Sequence, residues 1–268
     1  MLFLPYKIDV DLSRFPIFTC LIVLICLIIF NFQKQSWEEH RALVIDYCQN
    51  SIDYSMRRII RNVNHEGLSC PSFWASIREH DNPHELMWAM AKSASSLTFS
   101  ATPKLDAQSF YQSLAEEYDY YINMVPGDLT SQLEYDPKKP DLVRMVTSSF
   151  SHASWSHVIG NLIFFYVFAA GIEIIIGSLV FLGVVLMMSI STSLAYSFSV
   201  FGIEAAPSVG LSGIVFGMIA MLAVLSPQVK IKCFLWLLVI FKIFRIPALV
   251  LARLVYRLGF LRYEVSTG

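Results

Sequence analysis

Three residues in this 268-residue sequence have the side-chain types that acyl-transfer chemistry requires: Ser212, His157 and Asn161. Ser212 lies in "PSVGLSGIVFGMIA", from Pro207 to Ala220, between Gly210 and Gly213 and ahead of an uncharged apolar run. Polar side chains are costly inside hydrocarbon, so a hydroxyl there is a functional candidate by default. Following Pro207 and Gly210, the serine is expected at a helix N-terminus, where free N–H groups and the helix dipole favour an anion. It reads in two ways, as small-residue packing between helices or as a nucleophile. His157 and Asn161, in "SSFSHASWSHVIGNLIFF", are four residues apart and share one helix face. Side by side they offer N–H donors to a developing negative charge. Each also has a plainer reading, as an interfacial histidine and a helix–helix hydrogen bond. Gly160 permits close backbone approach. His152, five residues before His157, falls off the His157 face. A nucleophile and two donors from another helix make half of an acyl-transfer site.

The elements that must position these residues are apolar. The composition is 55% hydrophobic and 15% charged, and the mean hydropathy is +0.54. So little charge points to a membrane protein. A net charge of −1 gives no reason to expect nucleic acid as a partner. A bilayer core about 30 Å thick needs roughly 20 apolar residues as helix. No Asp, Glu, Lys or Arg lies between Arg14 and Lys34, Arg144 and Glu173, Glu173 and Glu204, or Glu204 and Lys230. A fifth apolar segment, Cys233 to Phe260, is broken by Lys242, Arg245, Pro247 and Arg253. Five hydrophobic segments are therefore expected in an all-α, polytopic membrane protein. The first is read as an uncleaved anchor, because no small-residue cleavage site follows it. "SPQVKIK" carries Lys230 and Lys232 without an acid and is expected in the cytoplasm. Counting spans back places the N-terminus in the cytoplasm and residues 35–143 outside it.

Residues 35–143 are a different material, polar and helical in pattern. Ser36 and Glu39 have capping-box spacing. Val44, Cys48, Ile52, Met56, Ile59 and Val63 recur every three or four residues, as on one helix face, and Gly67 is the expected stop. Asn82-Pro83 with Glu85 marks a second start. Thr102-Pro103 marks a third, followed by Phe110, Leu114, Tyr118 and Tyr121. Glu134 to Asp141 reads as a linker. The histidines at 40, 65, 80 and 84 have no ligand spacing and are read as surface residues. None of the five cysteines has zinc-type spacing. Cys48 and Cys70 fall in the external segment, where they form either a disulfide or two unpaired residues. The expected division is 1–34, an N-terminal segment and first transmembrane helix; 35–143, an extramembrane helical insert; and 144–268, the membrane core.

From about Arg144 onward the sequence resembles the rhomboid family of intramembrane serine proteases. The resemblance rests on His152, on His157 and Asn161, on the Glu173-to-Gly177 spacing in "GIEIIIGS", and on "GLSGIVFG". Arg144 stands where the family has the arginine of a loop Trp-Arg pair, with Val143 replacing the tryptophan. By this resemblance Ser212 is the nucleophile, and His157 and Asn161 hold the oxyanion with the Ser212 N–H. Gly210 lines the site. The substrates implied are transmembrane proteins cleaved in or near the bilayer, with no metal or organic cofactor. The family also uses a base histidine on a sixth helix, and this sequence has no histidine after Ser212. The membrane core is therefore expected to be a partial six-helix rhomboid-type bundle, incomplete at the C-terminus. Two accounts stay open, a shortened chain or a natural inactive relative. A non-catalytic protein that binds transmembrane helices is the alternative function. A small transporter ranks last, since no ion-pathway carboxylates are expected to line the core and Glu173 and Glu204 sit at segment ends.

Overall fold

The computed structural model describes residues 2–8, 15–64, 67–96, 107–203, 205–237, 240–254 and 256–257. The chain is mostly helical, as expected of a polytopic membrane protein. It divides into two units, Met1–Lys34 with Leu129–Gly268, and Gln35–Asp128.

Among the described residues three helices are long and apolar enough to cross a membrane. They are α1 (Ile17–Asp46), α8 (Trp155–Ile176) and α9 (Ser178–Ser199). At 1.5 Å per residue the 22 residues of α8 rise about 33 Å, enough for a bilayer core. A shorter apolar helix, α10 (Ser212–Leu225), follows. Two smaller helices, α6 (Leu129–Leu133) and α7 (Leu142–Phe150), precede α8. Phe165, Phe168, Phe181, Ile214 and Met218 lie in their shared core. Leu179, Met187, Phe198 and Val224 point outward, fully consistent with helices that meet lipid rather than water.

Polar contacts fix how these helices meet. Glu173, buried in α8, accepts the N–H groups of Phe18 at 3.0 Å and Thr19 at 2.8 Å. It also accepts the Thr19 and Ser178 hydroxyls, each at 2.8 Å. The carboxylate thus caps the first turn of α1, whose N–H groups have no partner within their own helix. Gly177, at φ +85°, makes the turn from α8 to α9. The segment expected as a linker is anchored. Tyr135 is buried, bridges to Ser208, and its hydroxyl lies 2.6 Å from Ser197 Oγ.

The fifth apolar segment departs from the expectation of a helix. Strands β2 (Lys230–Leu237) and β3 (Ile240–Pro247) run through its first part, and only residues 248–254 beyond them begin a helix. They form an antiparallel sheet with an N-terminal strand, β1 (Leu2–Ile8), in the order β1-β2-β3. The alternation Lys230, Ile231, Lys232, Cys233 explains the change. Ile231 and Cys233 are buried while Lys230 is exposed, the period-2 pattern of a half-buried strand.

The second unit holds α2 (Tyr54–Val63), α3 (Cys70–Glu79), α4 (Pro83–Ser96) and α5 (Ala107–Met124). It has a core of its own built on Tyr47, Phe73, Trp74, Phe110, Leu114 and Tyr121. Trp74 stacks on Tyr121 with ring centroids 5.2 Å apart. The stripe from Val44 to Val63 is not one helix. A π-helical turn, Tyr47–Ser51, interrupts it, and Asp53 restarts the chain by accepting the Met56 N–H at 2.6 Å. Ser36 and Glu39 cap nothing, because they lie inside α1. Asn82 caps α4 as expected, accepting the Glu85 N–H at 3.3 Å and donating to its carboxylate at 3.2 Å. Phe110, Leu114, Tyr118 and Tyr121 form the buried face of α5. Thr102-Pro103 lies outside the described residues. Cys48 and Cys70 are disulfide-bonded, with Cα atoms 6.0 Å apart.

Candidate active site

His157 stands on the first turn of α8 because Ser154 caps that helix, accepting the His157 N–H at 3.2 Å. Asn161 follows one turn later on the same face. The stretch leading into α8 is held from α1. Gln33, itself buried, donates to Ser151 Oγ at 2.6 Å and Thr130 Oγ1 at 2.9 Å, and accepts the His152 N–H at 3.1 Å.

Gly210 brings the third element in. Its φ of +108° is a conformation that L side chains rarely adopt. Its N–H donates to the Ser148 carbonyl at 2.8 Å, tying the loop to α7. A Cβ built on Gly210 would lie 2.9 Å from Asn161 Nδ2 and 2.9 Å from both His157 Cε1 and Nε2. The histidine and the asparagine therefore converge on the backbone two residues before Ser212. Ser212 opens α10, after Leu211, and is half-buried. Glycine also lets α10 approach α9. Cβ atoms at Gly213 and Gly217 would come within 2.9 Å of Thr192 and 3.0 Å of Met188 Sδ.

His152 is closer to this cluster than its spacing implies. The residues between Phe150 and Trp155 are not helical, so the helical face argument does not apply to them. The His152 ring packs edge-on against His157, centroids 5.3 Å apart. Neither ring nitrogen of His152 has a hydrogen-bond partner, and Asn161 Nδ2 is likewise buried without one. Burial, and the His157 ring beside it, push the His152 imidazole down to about 4, so it is neutral at neutral pH. Gln33, Ser148 and Tyr135 were not singled out as positioning residues. A lone glutamine at the end of an apolar run was the one signal that favoured any of them. Among the described residues no group of His, Cys, Asp and Glu has the arrangement of a metal site.

The cluster's elements lie within a stretch that matches a known family. Residues 139–266 match the family model described as Rhomboid domain. That stretch, 128 of the 268 residues, is similar to a rhomboid domain. Neither a curated protein nor a solved structure matches the chain. The matched residues take in α7 to α10 and the two later strands, while β1, α1 and α6 precede them. Gln33 and Thr19, which brace the domain through Ser151 and Glu173, thus come from outside the matched residues.

Proposed function

We propose that this chain has the layout of a rhomboid-type intramembrane serine endopeptidase acting on transmembrane proteins in the bilayer. The convergence of His157 and Asn161 on Gly210, beside Ser212, is the observation that carries the reading. In this layout Ser212 attacks the carbonyl of a peptide bond in or near a substrate's transmembrane segment. The oxyanion that forms is held by His157, by Asn161 Nδ2 and by the Ser212 N–H at the start of α10. Asn161 Nδ2 is buried without a protein partner, the condition of a donor kept for a substrate. A base must take the serine proton and return it to the leaving amine. No histidine follows Ser212. His157, packed beside Asn161 and Gly210, is committed to donation, so the 268-residue chain turns over little or no substrate by itself.

The second reading is a non-catalytic protein that binds transmembrane helices, in which His157 and Asn161 serve packing around Gly210 and not an oxyanion. One experiment separates the two. Purified chain and a Ser212→Ala control are treated with a fluorophosphonate probe, with and without imidazole as a diffusible base. The protease layout predicts weak labelling that imidazole raises in the chain and not in Ser212→Ala. Labelling that imidazole never raises favours the binder. Strong cleavage of a transmembrane substrate without imidazole, lost in Ser212→Ala, would overturn the low turnover. Losing the base alone costs a soluble serine protease roughly 10⁶ in turnover.

The orientation proposed puts residues 35–143 in an extracytoplasmic insert. The Cys48–Cys70 disulfide supports this, since disulfides persist in oxidising compartments. Lys230 and Lys232 favour the cytoplasm for the opposite end, with the N-terminus on the same side.

A further inference from the structure

The second unit carries an open cavity of about 480 Å³ between the first turns of α4 and the start of α5. It is lined by Asn82, His84, Glu85, Trp88, Gln108 and Tyr111, with no lysine or arginine among them. The core stripes of the two helices leave these side chains outside. Met87, Ala91 and Ala94 of α4 and Phe110, Leu114 and Tyr118 of α5 are buried, whereas His84, Glu85, Trp88 and Gln108 are exposed. His84 and Trp88, four residues apart, form a second stripe along α4. Tyr111 meets both from α5.

The rings at this cavity are set in place. Trp88 and Tyr111 stand with their planes 85° apart and centroids 5.6 Å apart. The Tyr111 hydroxyl lies 3.3 Å from His84 Nδ1, and the His84 ring packs edge-on against Tyr118, centroids 6.5 Å apart. Glu85 is set as well, since Asn82 donates to its carboxylate at 3.2 Å and accepts its N–H at 3.3 Å. Two ring planes at right angles and a carboxylate thus border one cavity. Aromatic faces are electron-rich and attract a cation held within about 6 Å of the ring centre. The carboxylate adds a full negative charge. A corner of two planes suits a compact, rounded cation, while a sugar ring stacks flat on one plane. A primary ammonium is strongly hydrated and gives up its water at a cost. A methylated ammonium holds water weakly and offers its methyl groups to the ring faces.

We propose that this cavity binds a quaternary ammonium group of the choline type. The full chain, carrying isotopically labelled tryptophan, is titrated in a polyoxyethylene detergent, which has neither a sugar nor an ammonium headgroup. The Trp88 indole N–H signal, assigned by its loss in Trp88→Phe, reads binding by magnetic resonance. The signal of Trp74, buried in the core of the same unit, reports that each variant stays folded. Choline is expected to bind roughly fivefold more tightly than its neutral isostere, in which carbon replaces the nitrogen, and more tightly than ammonium. Tyr111→Leu should weaken choline roughly fivefold, and Tyr111→Phe, which keeps the ring, should not. Glu85→Gln should weaken choline up to about fivefold at low salt and less at high salt, leaving the isostere unchanged. Dihexanoyl phosphatidylcholine binding as tightly as choline assigns the cation to a lipid headgroup, and weaker binding assigns it to a free choline compound. No response to choline, equal binding of choline and its isostere, or choline affinity untouched in a Glu85→Gln, Tyr111→Leu double variant overturns the proposal. Glucose binding as tightly as choline also overturns it and assigns the cavity to sugars. Ser212 takes no part in the measurement, so the result is independent of the protease reading and of the membrane orientation.

Discussion

At the scale of single residues, Gly210 is the position on which the cluster turns. It satisfies three demands at once: a φ of +108°, a hydrogen bond to Ser148, and contact with His157 and Asn161 that leaves no room for a methyl group. Gly210→Ala meets the last two side chains at 2.9 Å and strains the backbone as well. Strain of this kind costs about 1–3 kcal/mol. The effect should be local, because Leu211 and Ile214 still anchor α10 in the core. Gly210→Ala is therefore expected to abolish the imidazole-dependent labelling of Ser212 while the chain still melts cooperatively in detergent. Labelling equal to that of the unmodified chain would mean that His157 and Asn161 do not serve Ser212. The His–Asn spacing and the Gly-x-Ser-Gly were both legible in the sequence because each is short and local. The packing of His152 on His157 was not, because a five-residue spacing implies opposite placement only if a helix runs through it. Here the helix is interrupted between Phe150 and Trp155.

At the scale of elements, long uncharged runs announced α1, α8 and α9 because twenty apolar residues have few other uses. What sequence spacing hides is the contact between elements far apart in the chain. Glu173 reads locally as a boundary marker at a segment's end, yet its partners Phe18 and Thr19 lie 155 and 154 residues away. The fifth segment was misread for a different reason. Apolar content alone does not separate a membrane helix from a buried strand, and the alternation of Lys230 and Lys232 with Ile231 and Cys233 at its entrance does. Glu173 offers a direct test of how α1 is held. Glu173→Gln exchanges one acceptor oxygen for an NH2 group, so at least one N–H or hydroxyl on α1 or Ser178 loses its partner. Charged-acceptor bonds are worth about 1.5–3 kcal/mol and neutral ones about 1 kcal/mol. Thermal unfolding in detergent should therefore rank Glu173→Gln below Thr19→Val, and both below the unmodified chain. A Glu173→Gln protein as stable as the original would show that α1 is held by apolar packing alone.

At the scale of the molecule, the two units rest on different stabilising devices. The first has a core of aliphatic and phenylalanine side chains from α1, α8, α9 and α10, with much apolar surface left outward. The second buries aromatic side chains on four short helices, and Arg78 sits 4.7 Å from the Tyr121 ring centre while donating to the Val125 carbonyl. Its 94 residues, Gln35–Asp128, form a small body in which the Cys48–Cys70 bridge closes a loop of sequence separation 22. Constraining a loop of that length in the unfolded chain is worth about 3 kcal/mol. That is a large fraction of what a domain of this size has to spare. The cost of reduction should fall on the second unit, because neither cysteine belongs to the core of the first. Hydrogen exchange of the full chain in detergent, with and without a thiol reductant, reads this directly. On reduction, amides of α2, α3 and α5 are expected to exchange faster, by up to the hundredfold that about 3 kcal/mol allows. Amides of α8 and α9 are expected to keep their protection. Uniform loss of protection across both sets would show that the two cores unfold as one. No change in either would show that the aromatic packing of Trp74 and Tyr121 holds the second unit without the bridge.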